Sequence, residues 1–198
     1  MSGFQRYKKI LDLFSEERSS WTVLEISKSL KTPSSTIYRI VREMVTAEFL
    51  ESASGSYFRL GPAFIKFNRI INFSDPLVRA GQPFLKKLAN ENPITSVNVL
   101  ARLYGNNVMC VADYKSPTFK KNTSYQRGKL MPLIYGATSR AIIMQITGKR
   151  LENLINLENF KSDEDKNNFL KDLKSDRKKG YCFTEGQVDK GLIGFAVS

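Results

Sequence analysis

Histidine is absent from this sequence of 198 residues, and cysteine occurs only twice. Without histidine the chain cannot build a Ser-His-Asp or Cys-His nucleophile arrangement, and it lacks the commonest metal ligand. Cys110 and Cys182 stand alone in apolar stretches, so neither a disulfide framework nor a zinc knuckle is indicated. We therefore predict no enzyme activity, no catalytic residue, no metal and no cofactor.

Long apolar runs are also missing. No stretch approaches the ~20 residues that a membrane-spanning helix needs. The N-terminal MSGFQRYKK is not followed by the apolar core of a signal peptide. These absences, with the low cysteine content, predict a protein of the reducing cytoplasm with no membrane partner.

Acidic residues are few, 19 against 31 lysines and arginines, which gives a formal net charge of +12. Such an excess favours polyanionic partners, either nucleic acid or an anionic membrane surface. Residues 1–73 hold 11 basic and 7 acidic side chains, and the remainder hold 20 and 12. The charge is spread along the chain, so it does not locate a binding surface.

Residues 33–60 carry a polar-faced helix followed at once by a glycine-centred hairpin, which is the layout of a winged helix-turn-helix. Thr32 is predicted to cap this helix and Pro33 to lie in its first turn. Apolar residues at helical spacing predict its buried side: Ile37, Val41, Met44 and Val45. ESASGS forms the hairpin turn, and YFRL is the returning strand.

The opposite side of this helix is predicted to contact double-stranded DNA. Its side chains suit base edges, thymine methyl groups and phosphate oxygens, and they are Ser34, Ser35, Thr36, Tyr38, Arg39 and Arg42. In the wing, Ser54, Ser56 and Arg59 are placed to approach the minor groove or the phosphates. An ordinary solvated helix face would show the same residues, so the pattern alone leaves that alternative open.

Two helices are predicted before this segment. The first has Phe4, Tyr7, Ile10, Leu11 and Phe14 on one face. The second starts with a capping box at Thr22 and Glu25, and its apolar side consists of Val23, Leu24, Ile26 and Leu30. After the wing, AFIKFNRIINF predicts a helix at 63–73 whose exposed apolar residues suit a second copy of the chain.

The rest of the sequence predicts an α+β domain in which helices cover a mainly antiparallel sheet. A helix over 77–90 that tolerates Pro83 precedes two strands, 96–104 and 108–114, joined at Gly105-Asn106-Asn107. A further strand is predicted at 125–133, helices at 136–147, 149–157 and 163–179, and strands after Gly180.

Four stretches resemble the IclR family of transcription regulators: PSSTIYRIVREMVTAEFLESASGSYFRLGP, DPLVRAGQPFLKKLAN, RGKLMPLIYGATSRAII and KKGYCFTEGQVDKGLIGFAV. They follow the family's order and spacing over essentially the whole chain. The resemblance implies a winged helix-turn-helix at 1–61, a dimerising linker helix at 62–76, and an effector-binding domain at 77–198 related to the GAF fold. Since family members continue beyond the equivalent of Ser198, we expect this effector domain to be incomplete at its C-terminal end.

The resemblance also implies a small organic-acid effector near the helix that starts at Gly136. The effector-binding candidates are Cys110, Met131, Leu133, Gly136, Ala137, Thr138, Tyr181, Thr184 and Glu185. The chain departs from the family pattern where Ser139 and Arg140 replace a glycine and a lysine, where Thr184-Glu185 replaces an acidic pair, and at Gly194. Most of these candidates would look the same as plain core residues.

The leading interpretation is a DNA-binding repressor, a homodimer or dimer of dimers on a pseudo-palindromic operator, tuned by a small organic acid. The alternative is a ligand-unresponsive winged-helix module that acts through dimerisation or protein contact.

Overall fold

A computed structural model describes residues 3–92 and 94–198, which form two compact units that divide between Asp75 and Pro76. The N-terminal unit contains α1 (Gly3–Leu11), β1 (Ser20–Thr22), α2 (Val23–Leu30), α3 (Ser34–Thr46), β2 (Leu50–Ser52), a 3-10 turn (Ser54–Ser56), β3 (Tyr57–Leu60) and α4 (Ala63–Ser74). Strand β3 lies between β1 and β2 and is antiparallel to both. The core is the meeting point of α1, α2 and α3 with β2, where Ile10, Ile26, Ile37 and Leu50 are buried.

The predicted capping box of α2 is confirmed. The Glu25 N–H donates to the Thr22 hydroxyl (3.3 Å), and the Thr22 N–H donates to the Glu25 carboxylate (2.8 Å). The predicted cap of α3 is wrong, because the Thr32 hydroxyl donates to the Leu30 carbonyl (3.1 Å) and Pro33 occupies the cap position without a side-chain bond. The hydroxyl of Thr32 thus satisfies a carbonyl that the end of α2 leaves free.

Some apolar positions differ from the sequence prediction. Phe4 and Leu24 were assigned to buried faces, but they are 80% and 64% exposed. Each helix is only two to three turns long, so its buried stripe is narrow and an apolar residue one position off it reaches solvent. Conversely, Ile40 is buried, and Trp21 lies in β1, a short strand that the sequence did not predict.

A glycine is required where the wing returns to the helical core. The Gly61 N–H donates to the Phe49 carbonyl (2.9 Å), and a Cβ at Gly61 would lie 2.2 Å from the Glu48 carbonyl oxygen. This close backbone approach ends β3 and starts α4. Phe64 of α4 then packs edge-on against Phe49, with ring centroids 5.6 Å apart.

The C-terminal unit contains α5 (Pro76–Glu91), β4 (Val97–Tyr104), β5 (Asn107–Lys115), β6 (Leu130–Met131), α6 (Ala137–Ile143), α7 (Gly148–Asn156), α8 (Asp163–Lys179), β7 (Cys182–Glu185) and β8 (Ile193–Ala196). Strands β4, β5 and β6 form one antiparallel sheet, and β7 pairs antiparallel with β8. The predicted α+β class is confirmed. Within the described residues, however, the strands form two sheets in this unit rather than one.

The strand predicted at 125–133 is limited to Leu130–Met131. Two features interrupt its ladder. The Asp113 carboxylate accepts from the Arg127 N–H (2.8 Å), which replaces a strand partner. Gly128 has φ +89°, and its N–H donates to the Cys110 carbonyl (2.9 Å). The helix predicted at 136–147 is shorter as well, because the Arg177 guanidinium bonds the carbonyls of Met144 (2.8 Å) and Ile146 (2.6 Å) beyond its end.

A buried ion pair joins α6 to α8. The Arg140 Nε lies 2.9 Å from the Asp176 Oδ2, and the two side chains are 7% and 6% exposed. Asp172 contacts the same guanidinium at 3.6 Å, but its side chain is 59% exposed. Across the described residues, no helix is both long enough and apolar enough to cross a bilayer.

We predict that Asp176→Asn lowers the free energy of unfolding by about 3–5 kcal/mol, because it leaves a buried guanidinium without its buried counter-charge. Asp172→Asn removes an exposed carboxylate from the same guanidinium and should cost less than about 1 kcal/mol. Urea unfolding followed by far-UV circular dichroism measures both. Equal losses for the two variants would contradict the assigned role of burial.

Candidate DNA-binding surface and effector site

Helix α3 separates a buried face from an exposed polar face. The buried face consists of Ile37, Ile40, Val41 and Met44, each at most 3% exposed. The exposed face carries Ser35, Tyr38, Arg39 and Arg42, as the sequence predicts. Tyr38 is 60% exposed, although it is a large aromatic residue. This face therefore presents two cations, a hydroxyl and an aromatic ring to solvent.

Two predicted contact residues also serve the helix-turn-helix junction. The Ser34 hydroxyl donates to the Ser27 hydroxyl (3.0 Å), which ties the start of α3 to α2. Thr36 is half-buried. Arg39 forms an exposed ion pair with Glu43 (3.0 Å). Exposed pairs of this kind contribute little to stability, so the guanidinium can exchange its carboxylate for a phosphate or a base edge.

Glu43 also accepts a hydrogen bond from the Tyr7 hydroxyl of α1. This bond, together with burial, raises the pKa of Tyr7. The bond and the ion pair to Arg39 place one carboxylate between α1 and the exposed face of α3.

The wing is a tight turn between β2 and β3. Gly55 and Ser56 have φ values of +68° and +64°, and Ser54 and Ser56 are both exposed at the tip. Arg59 lies opposite Glu51 in the β2–β3 register and pairs with it. The wing thus carries its predicted polar residues at the surface of the same unit as α3.

The start of α6, predicted as the effector site, is closely packed. The Gly136 N–H already donates to the Gln187 Oε1 (3.1 Å). Gly136 has φ +83°, and a Cβ there would lie 2.3 Å from the Tyr125 hydroxyl and 2.8 Å from Val188. The Tyr125 hydroxyl is hydrogen-bonded by Thr138. The sequence identified Gly136 and Thr138 but missed the three side chains that cover them.

A second close approach lies beside Ala137. A Cβ on Gly194 would lie 3.2 Å from the Ala137 Cβ and 2.8 Å from the Thr184 Oγ1. Ala137 and Thr184 are both buried. The structure therefore brings these two candidates together, and the space between them admits only a glycine from β8.

Of the other effector candidates, Met131 and Leu133 belong to the same core cluster as Ala137. Cys110, Met131 and Leu133 are buried. Side chains alternate along β7, so Cys182 and Thr184 face inward whereas Tyr181 and Glu185 are exposed. The Tyr181 ring packs against Phe195, at 5.1 Å between centroids.

Asp189 fastens the loop before β6 to the β7–β8 turn. Its carboxylate accepts bonds from the Thr123 hydroxyl (2.8 Å), the Ser124 hydroxyl (2.7 Å) and the Ser124 N–H (2.9 Å). Burial alone would raise the pKa of Asp189, but these hydrogen bonds outweigh it and lower the pKa. The clamp holds Tyr125, the next residue, over Gly136. Asp189 and Ser124 are 65 residues apart, and no local pattern connects positions so distant, so this contact could not be predicted from the sequence.

The thiols of Cys110 and Cys182 and the hydroxyl of Ser139 are buried in the C-terminal unit. Burial raises the pKa of both cysteine thiols, Cys110 and Cys182, to about 12, so they stay protonated at neutral pH. The Ser139 hydroxyl of α6 is buried and has no hydrogen-bond partner among the described residues. Over residues 3–92 and 94–198, no cluster of three or more carboxylate, thiol or imidazole groups could hold a metal ion.

Comparison with known proteins agrees with this geometry. Residues 5–54, which span α1 to the tip of the wing, match the model of the IclR helix-turn-helix domain. The N-terminal unit carries an IclR helix-turn-helix. The match confirms, over these residues, the resemblance to IclR-family transcription regulators that the sequence predicts.

Three relatives extend the likeness over the chain. The Pca regulon regulatory protein of Pseudomonas putida is 19% identical over 204 residues, covering 100% of this chain and 68% of that protein. An IclR homolog from Microbacterium hydrocarbonoxydans, complexed with 4-hydroxybenzoate, has a TM-score of 0.80 at 20% identity, covering 99% and 82%. The IclR family regulator from Brucella abortus has a TM-score of 0.76 at 15% identity, covering 100% and 75%. At these identities the solved structures show that the fold is shared.

We predict that Asp189→Asn lowers the stability of the C-terminal unit at pH 7 by about 1 kcal/mol, because neutral amide oxygens accept more weakly than a carboxylate. The pKa of Asp189 is lowered in the fold, so its contribution is present above its ordinary value of 3.8 and is lost as pH falls through the folded value. The difference in melting temperature between wild type and variant should therefore shrink as pH falls below 3.8. Glu152→Gln on α7 is the control, and a difference independent of pH would contradict the clamp.

Proposed function

We propose that this protein is a cytoplasmic transcription repressor that binds double-stranded DNA as a dimer and is tuned by a small organic acid. The exposed polar face of α3, within a domain that matches the IclR helix-turn-helix, carries the proposal. Contacts from Ser35, Tyr38, Arg39 and Arg42 would read base edges in the major groove, and the wing residues Ser56 and Arg59 would hold the adjacent backbone.

Dimerisation would use the apolar side of α4. Large side chains there are at least half exposed, namely Ile65, Ile70, Ile71 and Phe73. Exposing this apolar face to water is unfavourable, and the same face of a second α4 would bury it. A two-fold dimer would place two copies of α3 on the two half-sites of a pseudo-palindromic operator.

The effector part of the proposal is supported by the packing around Gly136. The Gln187 side-chain oxygen that accepts the Gly136 N–H stands where a carboxylate oxygen of a ligand would bind. The homologous structure that holds 4-hydroxybenzoate makes an aromatic carboxylic acid the first ligand to test. Its entry would require Tyr125 and Val188 to move, since both lie directly over Gly136.

The alternative proposal is a winged-helix module that binds no ligand and acts through dimerisation or protein contact alone. It is favoured by the closed packing at α6, where Ala137, Thr184 and Gly194 leave no space between them. Operator binding that no metabolite changes would support a simplified regulator, and absence of DNA binding would support the interaction module.

We predict that Arg39→Ala reduces affinity for the intergenic DNA upstream of the gene by roughly 10- to 100-fold, because it removes a base-edge contact. Affinity for random DNA of equal length should fall by roughly fivefold or less. Fluorescence anisotropy across a salt series measures both. Arg150→Ala, an exposed arginine of α7, has the same charge change and should leave both affinities unaltered.

Two results would count against the assignment of α3. One is wild-type protein that binds all DNA equally, which would mean that charge alone drives binding. The other is an Arg150→Ala variant as defective as Arg39→Ala, which would mean that net charge matters and position does not.

For the effector, we predict that Gln187→Ala binds 4-hydroxybenzoate or a related carboxylic acid roughly 2- to 10-fold more tightly than wild type. The variant removes the internal acceptor that competes for the Gly136 N–H, a net hydrogen bond of about 0.5–1.5 kcal/mol. Isothermal titration calorimetry gives the affinities, with Gln145→Ala as a control because Gln145 bonds Ser198 instead. Unchanged affinity in Gln187→Ala would place the ligand elsewhere, and no binding by any acid tested would favour the ligand-unresponsive alternative.

A further inference from the structure

A groove of about 340 Å³ lies between α1 and the first turns of α3. Its floor is apolar and includes Ile10, Ile37 and Ile40. Arg6, Lys9 and Thr36 line it together with this floor, and none of the lining residues is acidic. Arg6 and Lys9 are three residues apart on α1, so they share one helix face, and both are exposed.

These two cations lack the ion pairs that four of the eleven basic residues of the N-terminal unit form. Four basic residues there are compensated by carboxylates, in the pairs Lys8–Asp12, Arg18–Glu25, Arg39–Glu43 and Arg59–Glu51. Within the described residues, neither Arg6 nor Lys9 has a carboxylate within ion-pair distance. The groove is therefore a site of uncompensated positive charge rather than a solvated face of mixed sign.

The position of the groove relates this charge to α3. Thr36 lines the groove from the first turn of α3, next to Ser35 on the exposed face and one turn before Arg39. DNA that lies along the outer face of α3 must carry its phosphate backbone past one end of that helix. At this end the groove offers two cations and the Thr36 hydroxyl, all of which are groups that bind phosphate oxygens.

We propose that Arg6 and Lys9 bind the DNA backbone, so that α1 forms part of the DNA interface and fixes how α3 enters the major groove. This inference rests on the proposed function of α3 as the DNA-reading helix. Backbone contacts carry no sequence information, so these residues set affinity and register, whereas Arg39 sets base preference. The partner at the groove is a phosphodiester of double-stranded DNA.

The test is the salt dependence of binding by full-length protein to the upstream intergenic duplex and to random duplex. Each lost phosphate contact should reduce the slope of log K against log salt by about 0.9. Lys9→Gln should therefore lower the slope by about 1 and weaken binding roughly fivefold at about 150 mM salt. Arg6→Gln with Lys9→Gln should lower the slope by about 2 and weaken binding roughly 30-fold.

Lys8→Gln is the matched control, since Lys8 is the neighbouring lysine of the same helix, has the same charge change and pairs with Asp12 (2.6 Å) outside the groove. It should keep the wild-type slope. The preference for intergenic over random DNA should be the same in all these variants. The fluorescence of Trp21, the only tryptophan, reports whether the N-terminal unit of each variant stays folded.

The outcomes separate this inference from the proposed function. If Arg39→Ala loses specific binding but the Arg6 and Lys9 variants keep the wild-type slope, α3 reads DNA and the groove does not bind it, which overturns the inference. A slope reduced equally by Lys8→Gln also overturns it, because charge anywhere on α1 would then suffice. If wild type lacks sequence preference while the Lys9 slope still falls, the groove binds phosphate and the proposed operator recognition fails.

Discussion

The constraint on which the N-terminal unit depends is that α3 must bury one face completely in a core built from short helices. With four side chains at most 3% exposed, α3 cannot rotate about its axis without moving Ile37 or Met44 into water. Each such side chain contributes roughly 1.5–3 kcal/mol when it is buried. The polar side chains on the opposite face must therefore point to solvent. The outward positions of Tyr38, Arg39 and Arg42 are therefore a consequence of core packing, and DNA binding makes use of a face that stability already fixes.

At the candidate site of the C-terminal unit, the packing depends on close backbone approach rather than on large buried side chains. Close approach there is secured by glycines and one carboxylate. Gly136 and Gly194 admit Tyr125 and Thr184 at distances that a Cβ would not allow, and Asp189 fixes the loop that carries Tyr125. The result is a helix start whose first amide is already satisfied by Gln187. A ligand at this place must replace interactions that the protein makes with itself, so its affinity reports a difference between two sets of contacts.

Sequence patterns correctly predicted the structural features that depend on residues close together in the chain. The capping box at Thr22, the hairpin at Gly105, the wing and the long helix α8 are local features, and each is found where the pattern indicated. Errors arose where distant groups intervene. Asp113 interrupts the strand expected at 125–133, and Arg177 takes the carbonyls that would have extended α6. For the candidate sites, the exposed face of α3 could be read from helical periodicity. The cover over Gly136 could not, because Tyr125, Gln187 and Val188 come from segments far from it in sequence.

The net charge can be read from the composition, but the location of the unpaired charges depends on the fold. The net charge of +12 indicates a polyanionic partner but gives no location, since basic residues exceed acidic ones in both halves of the chain. Folding narrows this, because four of the eleven lysines and arginines of the N-terminal unit pair with a carboxylate. An exposed ion pair has little net field at the distance of an approaching phosphate, whereas two uncompensated cations on one helix face add their potentials. The cations left without a partner after folding therefore locate the electrostatic part of the interface, and in this unit the groove between α1 and α3 holds two of them.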